Sequence, residues 1–97
     1  MVPVTLTEVA KKEIKGIIEN KSIPTDYSLR IGVKNASGCS GVNYLIGFDE
    51  KSESDELYDL EGIPVIIARK DMMHVMGLTV DFSDEATERG FVFRNDV

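Results

Sequence analysis

The chain has 97 residues, 42% hydrophobic and 29% charged, the balance of a folded globular protein and not of a disordered one. That length fits a single domain, residues 1–97, and no apolar run approaches the roughly 20 residues that cross a bilayer. The net charge is −6 with no basic stripe, which argues against nucleic acid and membranes as partners.

In chain order, Thr5 and Glu8 have the spacing of a capping box and Val4 with Val9 that of a hydrophobic staple, predicting an amphipathic helix over residues 5–20. Val9, Ala10, Ile14, Ile17 and Ile18 then fall on one face, and Asn20 with Pro24 marks the end. Tyr27, Leu29, Ile31 and Val33 alternate with Ser28, Arg30, Gly32 and Lys34, and Val42, Tyr44, Ile46 and Phe48 repeat the pattern: two half-buried strands.

The charge is concentrated next. Residues 49–61 hold seven of the seventeen acids and, in Lys51, one of the eleven bases, so the remainder is balanced. Such a run predicts a solvated loop, and it lacks the spacing and glycine of a calcium loop. Leu57 to Leu60 and Ile63 to Ala68 read as a further strand pair, with Glu61-Gly62 near the turn and Pro64 favouring an edge. Asp71 to Met76 predicts a short helix capped by Asp71 and stopped by Gly77. On it, His74 reads as a boundary residue and Met72, Met73 and Met76 as gap-filling core. Leu78, Val80 and Phe82 alternate again, as do Phe91 and Phe93 after Gly90. About six short strands with a helix at the start and a short one in the last third make an α+β domain, mostly β, without the regular alternation of a doubly wound sheet.

One cysteine, Cys39, excludes an internal disulfide and, with no signal-peptide pattern at the start, favours a reducing, cytoplasmic setting. It sits in Ser37-Gly38-Cys39-Ser40-Gly41, between two strand-like segments. Glycines on both sides leave its sulfur accessible and free backbone N–H groups to face an anion such as thiolate or sulfide. On these residues alone, a functional cysteine and an ordinary tight turn are evenly matched. No base lies within four residues to lower the thiol pKa.

Gly38-Cys39-Ser40-Gly41 followed by Tyr44, after Leu29-Arg30-Ile31-Gly32-Val33, resembles the first-cysteine region of the A-type iron–sulfur cluster carriers, the HesB-like family. The resemblance extends over residues 4–95, through Thr5-Leu6-Thr7-Glu8, Asp71 to Gly77, Asp81-Phe82 and Gly90-Phe91-Val92-Phe93-Arg94-Asn95. It implies a HesB-like domain with short mixed and antiparallel strands, forming homo-dimers or tetramers. It also implies a cargo of iron or an iron–sulfur cluster and delivery to recipient apoproteins or exchange with cluster-assembly proteins. That family uses three cysteines, one in this loop and a Cys-x-Cys pair in a tail after the Gly-Phe strand. Cys39 matches the first, with Gly38, Ser40 and Gly41 around the cargo; the pair has no counterpart up to Val97.

Two readings of function follow. In the first the protein is a non-enzymatic carrier whose Cys39 thiolate is a metal ligand at an interface between copies, since a cluster takes about four ligands and one chain offers one thiolate. In the second it is an interaction or regulatory module on the same fold that has lost the cluster. An enzyme built on Cys39 and His74 lacks a third member and an oxyanion hole, and no phosphate- or dinucleotide-binding fingerprint is present.

Overall fold

Alternating apolar residues organise most of the chain into strands. The protein is described here by a computed structural model covering residues 2–34, 43–85 and 88–95. The elements run β1 (Val4–Leu6), α1 (Glu8–Asn20), β2 (Tyr27–Lys34), β3 (Asn43–Glu50), β4 (Asp55–Leu60), β5 (Ile63–Ala68), a 3₁₀ turn (Arg69–Asp71), α2 (Met72–Val75), β6 (Leu78–Glu85) and β7 (Glu88–Asn95). The expected mostly-β, α+β class with an early and a late helix is what forms. Contacts divide it into two units, residues 1–23 with 77–97, and residues 24–76.

In the first unit β6 is the middle strand of a three-stranded mixed sheet, parallel to β1 and antiparallel to β7. Val4 and Leu6 pair with Leu78 and Val80, all four are buried, and Ala10 and Ile14 of α1 join them. β1 was not anticipated, and it moves the start of the helix. The N-cap is Thr7, whose hydroxyl accepts from the Ala10 backbone N–H, so the Thr5–Glu8 capping box does not form. The Val4–Val9 staple does not form either, because Val4 is committed to the sheet and Val9 is 54% exposed. The end at Asn20 is as expected.

The second unit holds a four-stranded sheet in the order β3-β2-β5-β4, with β2 and β5 parallel and both outer pairs antiparallel. Leu29, Ile31, Ile63, Val65, Ile66, Ile67 and Val75 are its buried core, and each fully buried aliphatic side chain contributes roughly 1.5–3 kcal/mol. β5 is therefore interior, against the edge position that Pro64 suggested. The missing N–H is tolerated because Pro64 lies near the start of β5, before pairing with β2 begins at Val65. Glu61 and Gly62 form the β4–β5 turn with φ of 53° and 91°, both left-handed as a two-residue type I′ hairpin requires.

Candidate functional site

β2 and β3 pair along their whole length, from Tyr27↔Glu50 to Lys34↔Asn43. The segment 35–42 therefore leaves and re-enters the sheet at one cross-strand pair, where Cα atoms are about 5 Å apart. Cys39, Gly38, Ser40 and Gly41 belong to that segment and lie outside the described residues. The structure thus describes the two strands that flank this segment in the chain.

β2 has a carboxylate against it. Asp71 was expected to cap α2, but its side chain makes no capping bond. Instead Asp71 Oδ2 accepts from the Val33 backbone N–H at 3.4 Å. It lies 2.8 Å from where a Cβ on Gly32 would stand, so Gly32 admits it by having no side chain.

At the other end of the hairpin, Arg30 organises the acidic run. Its Nη1 and Nη2 donate to the two oxygens of Asp55 at 2.8 and 2.7 Å, and its Nε donates to Asp49 at 3.0 Å. The backbone N–H of Ser52 adds a bond to Asp55 at 2.9 Å. Arg30 first, then Ser52, hold the Asp55 carboxyl well below the usual carboxylate range despite burial, and Asp55 in turn pushes the Arg30 guanidinium further up. Arg69 pairs with Glu56 at 2.7 Å, and Asp59 accepts from the Gly62 N–H. The expectation of a solvated loop over 49–61 is corrected: Asp49 and Glu50 end β3 and residues 55–60 form β4, of which Leu57 to Leu60 was expected as strand, and the positive charge of Arg30 offsets the repulsion between Asp49 and Asp55. A single arginine on the polar side of β2, beside an acid-rich stretch, was the signal in the sequence.

His74 is half-buried on α2, as a boundary residue would be. The methionines are not core: Met73 is 81% and Met76 58% exposed, because a single helical turn buries little besides Val75. Met72 alone is engaged, with the Tyr58 hydroxyl 3.9 Å from its sulfur. Among the described residues no three His, Cys, Asp or Glu side chains converge as a metal site. A depression of about 200 Å³ over Gly47 is lined by Arg30, Leu45 and Asp49 among others, without a converging ligand set. No helix of the described residues is long and apolar enough to cross a membrane.

Comparison with known proteins gives a consistent picture. Residues 2–97 match the family described as iron-sulphur cluster biosynthesis. The iron-binding protein IscA of Enterobacter sp. (strain 638) is 34% identical over 95% of this chain and 84% of its own. The crystal structure of Escherichia coli SufA, involved in biosynthesis of iron-sulfur clusters, superposes with a TM-score of 0.77 at 29% identity, covering 95% of this chain and 79% of that one. A crystal structure of IscA with a [2Fe-2S] cluster gives 0.73 at 26% identity, covering 96% and 82%.

Proposed function

Because the chain belongs to the iron-sulphur cluster biosynthesis family, we propose that it carries iron or an iron–sulfur cluster through Cys39 and passes it to recipient apoproteins or cluster-assembly proteins. In this reading the whole chain, residues 1–97, works as one domain and the role is transfer, not catalysis. The observation that carries it is the match over nearly the full length, together with the position of Cys39 between two strands held in register to Lys34↔Asn43. Thiolate is the preferred ligand of such clusters, and about four are needed. Residues 1–97 supply one thiolate, which favours a cargo shared between copies, as a dimer or tetramer. Gly38, Ser40 and Gly41 are residue types suited to such a ligand, two without side chains and one with a hydroxyl donor.

The single cysteine also favours a second reading, a HesB-like interaction or regulatory module without cargo. Anaerobic reconstitution of wild type and Cys39→Ser, with iron and acid-labile sulfide counted per chain, separates the two. The carrier reading expects both to be bound and both to vanish in the variant. A folded wild-type protein that takes up neither supports the module.

A further inference from the structure

We infer that β3 is a docking edge for β3 of a second copy of this chain, the two strands running antiparallel about a two-fold axis between their Ile46 residues. The pairing needs neither metal nor Cys39, so it stands apart from the cargo proposed above. β3 ends its four-stranded sheet and, among the described residues, ladders only with β2. It pairs there over all eight residues without a break, yet none of the eight is buried, and Leu45 is 40% exposed. Ile46 and Phe48 stay half-buried although their ladder partners Ile31 and Leu29 are buried. Such an edge offers a row of unpaired N–H and C=O groups, which proteins guard with charge, proline, bulges or brevity. β1 has three residues, β4 carries Asp55, Glu56 and Asp59, and β7 carries Arg89 and Arg94. Residues 43–48 of β3 have no such guard, and its two acids, Asp49 and Glu50, stand together at one end.

The occupant follows from the strand set against itself. Residues directly opposite in an antiparallel ladder point to the same side of the sheet, so a two-fold pairing must be centred on a residue. Centred on Ile46, it sets Phe48 opposite Tyr44, Gly47 opposite Leu45 and Asp49 opposite Asn43, each twice. No like charges meet, Phe48 and Tyr44 make an aromatic cross-strand pair, and the Asn43 amide is a donor for Asp49. The Gly47–Leu45 pair also matches in shape. A Cβ on Gly47 would meet nothing within 4 Å, and the depression of about 200 Å³ over it is bounded by Arg30, Leu45 and Asp49 on the same side of the sheet. Leu45 of the second copy enters that space, and the symmetry fills the second copy's depression in return. On β4 the equivalent pairing, centred on Leu57, would set Asp55 against Asp59.

Contacts between two strand edges fall at the small, transient end of interfaces. Metal-free chains are therefore expected to separate at low micromolar concentration and to pair as they approach about 1 mM. Sedimentation equilibrium of metal-free protein over that range reads the pairing. Gly47→Val, which fills the depression, is expected to weaken it about tenfold or more. Leu45→Ala combined with Gly47→Leu, which exchanges the protruding and the receiving position, is expected to recover most of that loss. Val92→Lys, a charge on the other long edge, is expected to leave it unchanged. In a Cys39→Ser background, Ile46→Cys oxidised with copper–phenanthroline is expected to give a disulfide-linked dimer, and Val92→Cys is not. That arm carries the test should a Gly47 variant fail to fold. A wild-type chain that stays monomeric to about 1 mM would overturn the inference. So would pairing unmoved by Gly47→Val, a double variant no better than Gly47→Val, pairing lost in Val92→Lys, or no cross-link from Ile46→Cys. With no metal present, failure here leaves the cargo reading untouched, and failure of iron and sulfide uptake leaves the β3 pairing standing.

Discussion

Both carboxylate oxygens of Asp55 are taken by one guanidinium: Arg30 Nη1 reaches Oδ1 at 2.8 Å and Nη2 reaches Oδ2 at 2.7 Å, from β2 to the first residue of β4. The Asp55 side chain is 1% exposed and that of Arg30 24%. Removing the arginine leaves a buried charge supported only by Ser52. Arg30→Ala is therefore expected to lower the unfolding free energy by about 3 kcal/mol, the lower end for breaking a buried pair. Urea unfolding at neutral pH measures it. Arg30→Lys, unable to bridge both oxygens, should recover only part of the loss.

The same pair predicts an acid signature. Asp55 has a folded pKa depressed from the ordinary 3.8, so the unfolded chain takes up its proton first as pH falls. The stabilisation is complete above that ordinary value and drains away below it, as the pH approaches the lower folded value. With Arg30 gone, burial, which raises the Asp55 pKa, is opposed by the bonds from Ser52. The deficit of Arg30→Ala relative to wild type should then be full near pH 7 and shrink as the pH falls below the ordinary 3.8, as read by thermal midpoints. A deficit that stays constant below that value would contradict the assignment.

How far the sequence disclosed this architecture depends on the length and locality of each signal. β2 and β3 were legible because alternation over seven or eight residues leaves little choice of face, β5 because it is an apolar run, and β6 and β7 in part from the shorter alternations Leu78, Val80, Phe82 and Phe91, Phe93. β1 was not: three residues are too few to alternate, and Thr5–Glu8 offered a local capping pattern that competed with it. The true cap, Thr7, is selected by a partner 74 positions away, the Asp81 carboxylate that accepts its hydroxyl at 2.7 Å. Leu57 to Leu60 of β4 was legible, but its start at Asp55 was hidden for the same kind of reason, since net charge along the chain says repulsion and only the fold brings Arg30 across to Asp55. At the candidate site, Cys39 was legible as a motif, whereas the Asp71–Gly32 contact needed the register between β2 and β5.

Thr7 yields the next expectation. Its hydroxyl donates to Asp81 and accepts from the Ala10 N–H, and Asp81 also accepts from Phe82 N–H and from Arg94 Nη1 at 3.1 Å. Thr7 first, then Arg94, draw the Asp81 pKa down. Thr7→Ala removes an N-cap and should cost about 1 kcal/mol, whereas Thr7→Ser keeps the hydroxyl and should cost much less. Chemical denaturation of the two variants side by side decides it.

Two glycines in the second unit should respond oppositely to alanine. Gly62 sits at φ 91° in the type I′ turn, a conformation that costs an L residue roughly 1–2 kcal/mol, so Gly62→Ala should destabilise by about that much. Gly47 has no positive φ and open space where a Cβ would go, so Gly47→Ala should change stability by no more than about 0.5 kcal/mol. Equal losses in the two variants would show that the turn is not what constrains Gly62.

His74 is expected to be dispensable for the cargo. It stands on a one-turn helix, in no converging ligand set among the described residues. His74→Ala should bind the wild-type amounts of iron and sulfide after reconstitution, with the same visible absorption. A loss comparable to that of Cys39→Ser would make it a ligand.

The central claim, a cargo held between copies by single thiolates, is tested most directly by native mass spectrometry of the anaerobically reconstituted protein. The account predicts that iron and sulfide appear only on assemblies of two or more chains, that stripping the metal releases apo chains, and that Cys39→Ser shows no metal-bearing species. Iron and sulfide on a single chain, or their retention in Cys39→Ser, would contradict it.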